Sequence, residues 1–475
     1  MPRLVVGPFN RVEGDLEVTL DVEEGRVARA RVNSPLFRGF EIMLLGKDPR
    51  DALTLTPRIC GICSISQSAA AARALADAQG LTPAPEGERV AQLIHGIENV
   101  CDHLTHFYLF FMADFARPAY VGRTWHAAVE DRFLATQGSG ARAAVAARAQ
   151  LMHILGLLAG KWPHTLALQP GGVTRAPGPR DKVRIALTLR QFRGFLEREL
   201  FGAPLESFAE LTDPAALMAW ETGDAGLFLH AAADLDLDAV GRGPGRYLSY
   251  GAYPQAGGPA FAAGLWAEGR RGALDLSEVV EHTAHSWMQG GPRHPADGLT
   301  EPDEDMAAPG YSWCKAPRMA GQVVETGAFA RQVVDGHPLA VALARAGGGV
   351  TSRVAGRLIE IARTQVLLET WCAGIDPDAP FMARGMMPSD GEGVGLVEAA
   401  RGALGHWLRI EGGRIAGYQI VAPTTWNFSP RDGDGVPGAL EAALEGAPVG
   451  ADEDTPLSVQ HIVRSFDPCM VCTVH

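Results

Sequence analysis

Nowhere in its 475 residues does the chain stay apolar for the ~20 positions that a bilayer span needs. A strongly apolar stretch, Phe107-Tyr108-Leu109-Phe110-Phe111-Met112-Ala113, is cut by Asp114. The N-terminus, MPRLVVGPFNRVEGD, has neither an apolar h-region nor a small-residue cleavage site. No signal peptide is therefore expected, and a soluble, cytoplasmic chain is. Basic residues are in deficit, with 42 Lys and Arg against 55 Asp and Glu and a formal charge of −13. That disfavours a phosphate-tracking surface and excludes nucleic acid as the expected partner. No low-complexity run, internal repeat or linker interrupts the chain, so residues 1–475 read as one domain. Cysteine is scarce and odd in number: Cys60, Cys63, Cys101, Cys314, Cys372, Cys469 and Cys472. An odd count without a secretory signal argues against a disulfide framework.

What the chain does have is helical periodicity. Val90, Leu93, Ile94, Ile97, Cys101, Leu104 and Tyr108 recur at i, i+3, i+4, i+7 spacing, the stripe of a helix packed on a core. Residues 141–158, 184–200 and 350–371 also read as long helices, and the Ala-rich 66–78 segment closes at Gly80. Period-two alternation marks one hairpin at 16–22 and 27–32 and another at 407–410 and 415–421. The expected fold is mainly α (α+β): a large helical-bundle core with small antiparallel β elements near the two ends.

Four cysteines form two CxxC pairs, RICGIC (Arg58 to Cys63) and DPCMVC (Asp467 to Cys472). One such pair is ordinarily a redox dithiol, half a structural zinc site or chance. Two pairs brought together offer four thiolates, a set that suits zinc, iron–sulfur, or nickel with iron. A closed zinc site needs neither the terminal His475 nor nearby charges such as Arg58 and Asp467, whereas a reactive centre needs charge and a proton route.

Along essentially its whole length the chain resembles the large subunit of [NiFe] hydrogenases. The resemblance is carried by RVEGD (Arg11 to Asp15), RGFE (Arg38 to Glu41), RICGIC, DHLTHFY (Asp102 to Tyr108), PGGVT (Pro170 to Thr174), YSWCKAPR (Tyr311 to Arg318), ARGALGHW (Ala400 to Trp407), APTTWNFSPRD (Ala422 to Asp432) and DPCMVCTVH. It implies that Cys60 and Cys469 are terminal thiolates on nickel. Cys63 and Cys472 would bridge nickel to an iron that carries carbon monoxide and cyanide. Glu41, the backbone carbonyl of Ile420 and His475 would hold a magnesium-like ion. Heterolytic cleavage of dihydrogen needs an open metal position and a base for the proton; a metal-bound thiolate can be the first base and a carboxylate the next, and the resemblance supplies Glu13, next to Cys469, as that carboxylate. Arg401 would lie at the open position, paired with Asp102 and Asp467. Thr424, beside Pro423 and with Ala400 nearby, would contact the iron's diatomic ligands.

The chain also departs from the family's common pattern. Gln67 stands where a His is usual, and Gln cannot titrate. Ile62 and Phe110 replace Val and Leu at the inner end of the gas channel, where bulk would admit dihydrogen more readily than dioxygen. Ala400 replaces Pro. Gln67, Ile62 and Phe110, together with a sequence that stops at His475 where most members carry a cleaved extension, match the regulatory branch. In that branch a slow hydrogenase reports dihydrogen to a histidine kinase. The alternatives are an energy-conserving uptake hydrogenase in mature form, a four-thiolate metal scaffold, and a metal-free respiratory-complex-like subunit, which would lack a cysteine pair. Cys101, Cys314 and Cys372 are isolated and cannot build a cubane relay. A small iron–sulfur subunit is therefore expected as obligate partner, in a heterodimer that can pair into a dimer of heterodimers.

Overall fold

Helices dominate because the apolar stripes seen in the sequence are long and unbroken. The computed structural model describes residues 3–255, 257–451 and 453–473. Its centre is the helix Val350–Ala373, buried on nearly every side: Val354, Ala355, Leu358, Ile359, Ile361 and Ala362 form an apolar face that is fully buried, and Arg353, Arg357 and Glu360 form a charged one that is nearly so. It packs against Pro85–Thr105 and Pro179–Phe195, and Ser139–Ala159 packs against both of those helices. The expected stripe from Val90 to Leu104 is the buried face of Pro85–Thr105. Two of the expected helices end in an extra π-turn, His106–Phe111 and Leu196–Phe201. Such one-turn insertions re-aim the residues after them.

Both expected hairpins form. At the N-terminus Arg3–Val6, Glu17–Glu23 and Arg26–Asn33 make an antiparallel sheet. Near the C-terminus Gly402–Glu411 and Arg414–Val421 pair, and Gly391–Ala399 adds a third strand. A further antiparallel sheet, Tyr247–Gln255, Gly258–Ala267 and Arg270–Gly272, lies mid-chain, away from the two ends where sheet is expected. Tyr247–Gln255 is buried almost throughout and carries Gly251 and Pro254, so it shows neither alternation nor an unbroken β-branched run. Gly391–Ala399 (GEGVGLVEA) hides its strand character behind three glycines.

Those glycines allow a close approach. The helix Ser64–Ala78, which follows the first cysteine pair, lies directly on this strand. A Cβ on Gly395 would sit 1.9 Å from the Ala70 carbonyl oxygen, and one on Gly393 would sit 2.1 Å from that of Ala74. The absence of side chains sets how closely helix and sheet approach, and hence where the first cysteine pair stands relative to the C-terminal strands.

Gly395→Ala should therefore lower stability by about 1–3 kcal/mol through overpacking. Gly391→Ala on the same strand, whose nearest neighbour is a Pro388 side-chain atom at 3.4 Å, should be near neutral. Denaturant titration of both variants is the check.

Candidate metal centre

The two cysteine pairs meet. The Sγ atoms of Cys60, Cys63, Cys469 and Cys472 all lie within 4.8 Å of one another, and all four residues are buried. Cys60 is 3.4 Å from Cys469, Cys63 is 3.2 Å from Cys472, and Cys469 is 3.1 Å from Cys472. Cys63 occupies the cap position of the helix Ser64–Ala78, and Cys472 lies in the single turn Met470–Thr473. The four thiols hydrogen-bond mainly to one another. Bonds with Cys469, Cys472 and Cys63 pull Cys60 well below the ordinary thiol range, ahead of the opposing effect of burial.

Three devices hold the ends together. Glu13 forms a parallel bridge with Cys469, and its carbonyl accepts the Met470 N–H at 2.7 Å. One guanidinium nitrogen of Arg38 donates to the Ile59 carbonyl in the first cysteine loop and to the Val471 carbonyl, at 2.6 Å, in the second. Asp114, the residue that cuts the apolar stretch, is fully buried and pairs with Arg11, Arg117 and Arg464. Arg464 also donates to the Asn10 carbonyl at 2.5 Å, tying the N-terminal segment to the helix Leu457–Ser465.

Beside the sulfurs sits a buried charge cluster. Ala400 and Arg401 form the two-residue loop between strands ending at Ala399 and starting at Gly402. Arg401 donates to Asp102 Oδ2 at 2.6 Å, to Asp467 Oδ1 at 3.1 Å and to the Asp467 carbonyl at 3.0 Å. Arg357 lies 3.7 Å from Asp467. Asp467 has φ of 59°, a left-handed conformation that aspartate tolerates better than most residues. Burial raises the Asp467 carboxyl, but Arg401, His106 and Arg357 outweigh it and hold it below its usual range. Burial raises Asp102 in spite of Arg401. Glu13, half-buried, is pushed up by burial and by Cys60 against the pull of Arg401 and Arg38.

The donor set fits a soft metal centre. Four clustered thiols have no stable use in an apolar interior unless a metal or a disulfide takes them up. Asp102 Oδ1, Asp467 Oδ2 and Gln67 Nε2 are buried without a hydrogen-bond partner, unmet polar atoms in the residues that flank the cluster. Among the described residues, these four cysteines are the group that could hold a metal.

A second site lies below the C-terminal turn. A cavity of about 20 Å³ is lined by Glu41, Glu281, Thr300, Lys315, Ile420 and Thr473 among others, room for one water-sized occupant. Glu41 accepts from the Ile420 N–H at 2.7 Å and from the Thr300 hydroxyl, and Lys315 stands 3.7 Å away. Lys315 is also 3.4 Å from Glu281, so two carboxylates face one ammonium. His475 lies outside the described residues.

The remaining sequence candidates fall as follows. Ile62 is half-buried and packs against the apolar cluster that includes the four cysteines. Phe110 is half-buried on the π-turn. Gln67 is fully buried one helical turn beyond Cys63, and its side-chain oxygen lies 2.8 Å from His406 Nε2. Pro423 and Thr424 open the short buried helix Pro423–Asn427. His103 Nε2 is bonded to Glu360 and His106 Nε2 to the Arg464 carbonyl, while the Nδ1 atom of each is buried without a hydrogen-bond partner.

Sequence reasoning missed Glu98. It accepts the N–H groups of Ile65 and Ser66, each at 2.9 Å, and the Trp162 indole at 3.0 Å. It thus caps the helix that starts after Cys63. The signal was available: His95, Glu98, Asn99, Asp102, His103 and His106 form a polar stripe at helical spacing beside the apolar one.

The family model for nickel-dependent hydrogenases matches residues 38–128 and 142–475. The periplasmic [NiFeSe] hydrogenase large subunit of Desulfomicrobium baculatum is 29% identical over 512 residues, covering 100% of this chain and 95% of its own length. The uptake hydrogenase large subunit of Rhizobium leguminosarum bv. viciae is 28% identical over 572 residues, covering 100% and 95%. The solved Ni-Fe-Se hydrogenase from D. vulgaris Hildenborough superimposes with a TM-score of 0.86 at 28% identity, with 100% of both chains covered.

Glu98 generates a pH prediction. Burial raises its carboxyl to about 7 from an ordinary 4.5, against the pull of the Ile65, Trp162 and Ser66 donors. Between those values the unfolded chain releases a proton that the folded chain keeps. The contribution is whole below pH 4.5 and is lost as pH rises to about 7. The stability difference between the parent and Glu98→Gln should shift by an amount on the order of 3 kcal/mol across that window and stay flat outside it. Urea titrations at stepped pH measure it.

Proposed function

The chain belongs to the nickel-dependent hydrogenases as a [NiFe] hydrogenase large subunit, and from that premise we propose that Cys60, Cys63, Cys469 and Cys472 hold a nickel–iron centre at which dihydrogen is cleaved. The observation that carries the reading is the convergence of four buried Sγ atoms from the two ends of the chain to within 4.8 Å. When bound, the centre supplies an open coordination position and, with carbon monoxide and cyanide on iron, a site for heterolytic cleavage.

This chain's residues do the rest. Cys60, Cys63, Cys469 and Cys472 would supply the thiolate ligands of the centre. Glu13 receives the proton: its main chain is bonded to the second cysteine loop, and its carboxyl, raised by burial, binds a proton more readily than an exposed glutamate. Arg401, fixed by Asp102 and Asp467, keeps its charge and orients what enters. Thr424, Pro423 and Ala400 would stand beside the iron side of the centre, with the Thr424 hydroxyl available to donate a hydrogen bond to it. Glu41 and the Ile420 carbonyl, with His475, hold a magnesium-like ion. Carboxylate and carbonyl oxygens are the donors that a hard divalent cation takes.

For the finer role we infer hydrogen sensing. Gln67 stands where a titrating His is usual, and its oxygen is engaged by His406. Ile62 adds bulk against the cysteine cluster, and Phe110 is read as the second narrowing of the gas route. On this reading turnover is low, electrons leave through a small iron–sulfur subunit, and the signal passes to a histidine kinase in the cytoplasm. Cys101, Cys314 and Cys372 are free and buried singly, in keeping with a reducing compartment and with a relay supplied by a partner. No helix among the described residues is long and apolar enough to cross a membrane. The competing reading is an uptake enzyme, favoured by relatives that carry that name.

Anaerobic co-purification with a small subunit should yield nickel and iron in equal amounts, with infrared bands of iron-bound carbonyl and cyanide; zinc without nickel refutes the assignment. Ile62→Val combined with Phe110→Leu should make activity more sensitive to dioxygen. Unchanged sensitivity removes the gas-gate argument and leaves the uptake reading in place.

A further inference from the structure

Arg401 can act only if its loop is rigid, and a two-residue loop is not rigid by itself. Beneath it lies Arg331, fully buried on the helix Ala328–Asp335. Its guanidinium donates to the Ala399 carbonyl at 2.7 Å and to the Ala400 carbonyl at 3.1 Å, the two residues that precede Arg401. The same group binds Glu398, on the strand leading into the loop, at 2.7 Å, and Glu360 at 2.6 and 2.9 Å. Glu360 in turn bonds His103 at 3.0 Å, the residue after Asp102. Arg331 therefore grips both walls of the Arg401–Asp102 ion pair: the loop that presents the guanidinium and the helix that presents the carboxylate.

The far side of the loop is closed as well. Gly402 has φ of +130°, and a Cβ there would lie 2.3 Å from Thr326 Oγ1 and 2.6 Å from the Gly327 nitrogen. The loop thus rests on the start of the Arg331 helix with no slack. Two carboxylates, Glu360 and Glu398, flank one arginine, and desolvating such a set is costly. A general packing role would be filled as well by apolar side chains. A fork that satisfies two adjacent backbone carbonyls and two carboxylates at once is a positional device.

We propose that Arg331 is a positioning residue. It holds the Ala399–Arg401 loop and the Asp102–His103 turn in one register, so that Arg401 reaches Asp102 and Asp467 beside the cysteine cluster. The proposal deepens the hydrogenase reading and rests on it for its catalytic consequence, though not for its structural one.

The test is a double-mutant cycle in the heterodimer, with Arg331→Lys, Arg401→Lys and both together. Arg331→Lys should retain nickel and iron and lower dihydrogen turnover roughly tenfold to a hundredfold. It should cost little further in the Arg401→Lys background. In its crystal structure the Arg401–Asp102 hydrogen bond, 2.6 Å in the parent, should be broken or lengthened. Additive losses, or an unmoved Arg401, overturn the proposal. Arg353→Lys serves as control, since Arg353 is a similarly buried arginine paired with Glu325; it should lower the melting temperature without coupling to Arg401. If Arg331→Lys fails to accumulate, His103→Leu, which removes the donor that links Glu360 to the Asp102 helix, carries the same cycle with the same criteria. A parent protein lacking nickel and iron would sink the functional reading, while the Arg401–Asp102 distance in the variant crystal would still decide this one.

Discussion

Four sulfur atoms drawn from opposite ends of the chain into one buried point set the terms for everything around them. Cys60 and Cys469 are separated by 409 residues, so the pairing cannot be local. The chain must bring its first and last segments together and keep them there. The Glu13–Cys469 bridge, the Arg38 clip across both cysteine loops and the three arginines on Asp114 all serve that closure. The glycine-faced packing of the helix Ser64–Ala78 on the strand Gly391–Ala399 serves it too, by fixing the height of the first loop over the C-terminal sheet.

The second constraint is charge. The interior holds Arg331, Arg353, Arg357, Arg401, Arg464, Asp102, Glu360, Glu398 and Asp467, all nearly inaccessible. Ion pairs in an apolar interior are poor sources of stability, because desolvation consumes what attraction returns. They are good sources of geometry, since each pair tolerates few alternatives. Their concentration on the helices Pro85–Thr105 and Val350–Ala373 and on the Arg401 loop puts that geometry at the sulfurs. Stability comes instead from the continuous apolar core on the other faces of the same helices, so one helix serves both ends by carrying two stripes.

Much of this is legible in the sequence, and the reasons it is or is not are physical. The long helices announce themselves because their apolar residues must recur every three to four positions to reach the core. The hairpin at 17–33 shows because its strands alternate, and the one at 407–421 because Gly412-Gly413 marks a turn between two apolar runs. Tyr247–Gln255 does not show, because burial on both faces erases alternation, and Gly391–Ala399 does not, because its three glycines erase propensity. Motif resemblance marks the cysteines, Arg401, Asp102 and Asp467 as a set, and the structure brings them together. It does not mark Arg331, Glu98 or Asp114, because each works by gripping backbone or side chains on elements that only the fold brings beside it. A sequence shows a buried charge only as an interruption in an apolar stripe. Asp114 reads as such an interruption, and the structure supplies its purpose.

The most direct test of the central claim is anomalous X-ray diffraction from anaerobically grown crystals, recorded on both sides of the nickel and the iron absorption edges. The account predicts one nickel and one iron peak, adjacent to each other and enclosed by the Sγ atoms of Cys60, Cys63, Cys469 and Cys472. A lone zinc peak at that point, or sulfurs joined pairwise as disulfides with no metal between them, would contradict it.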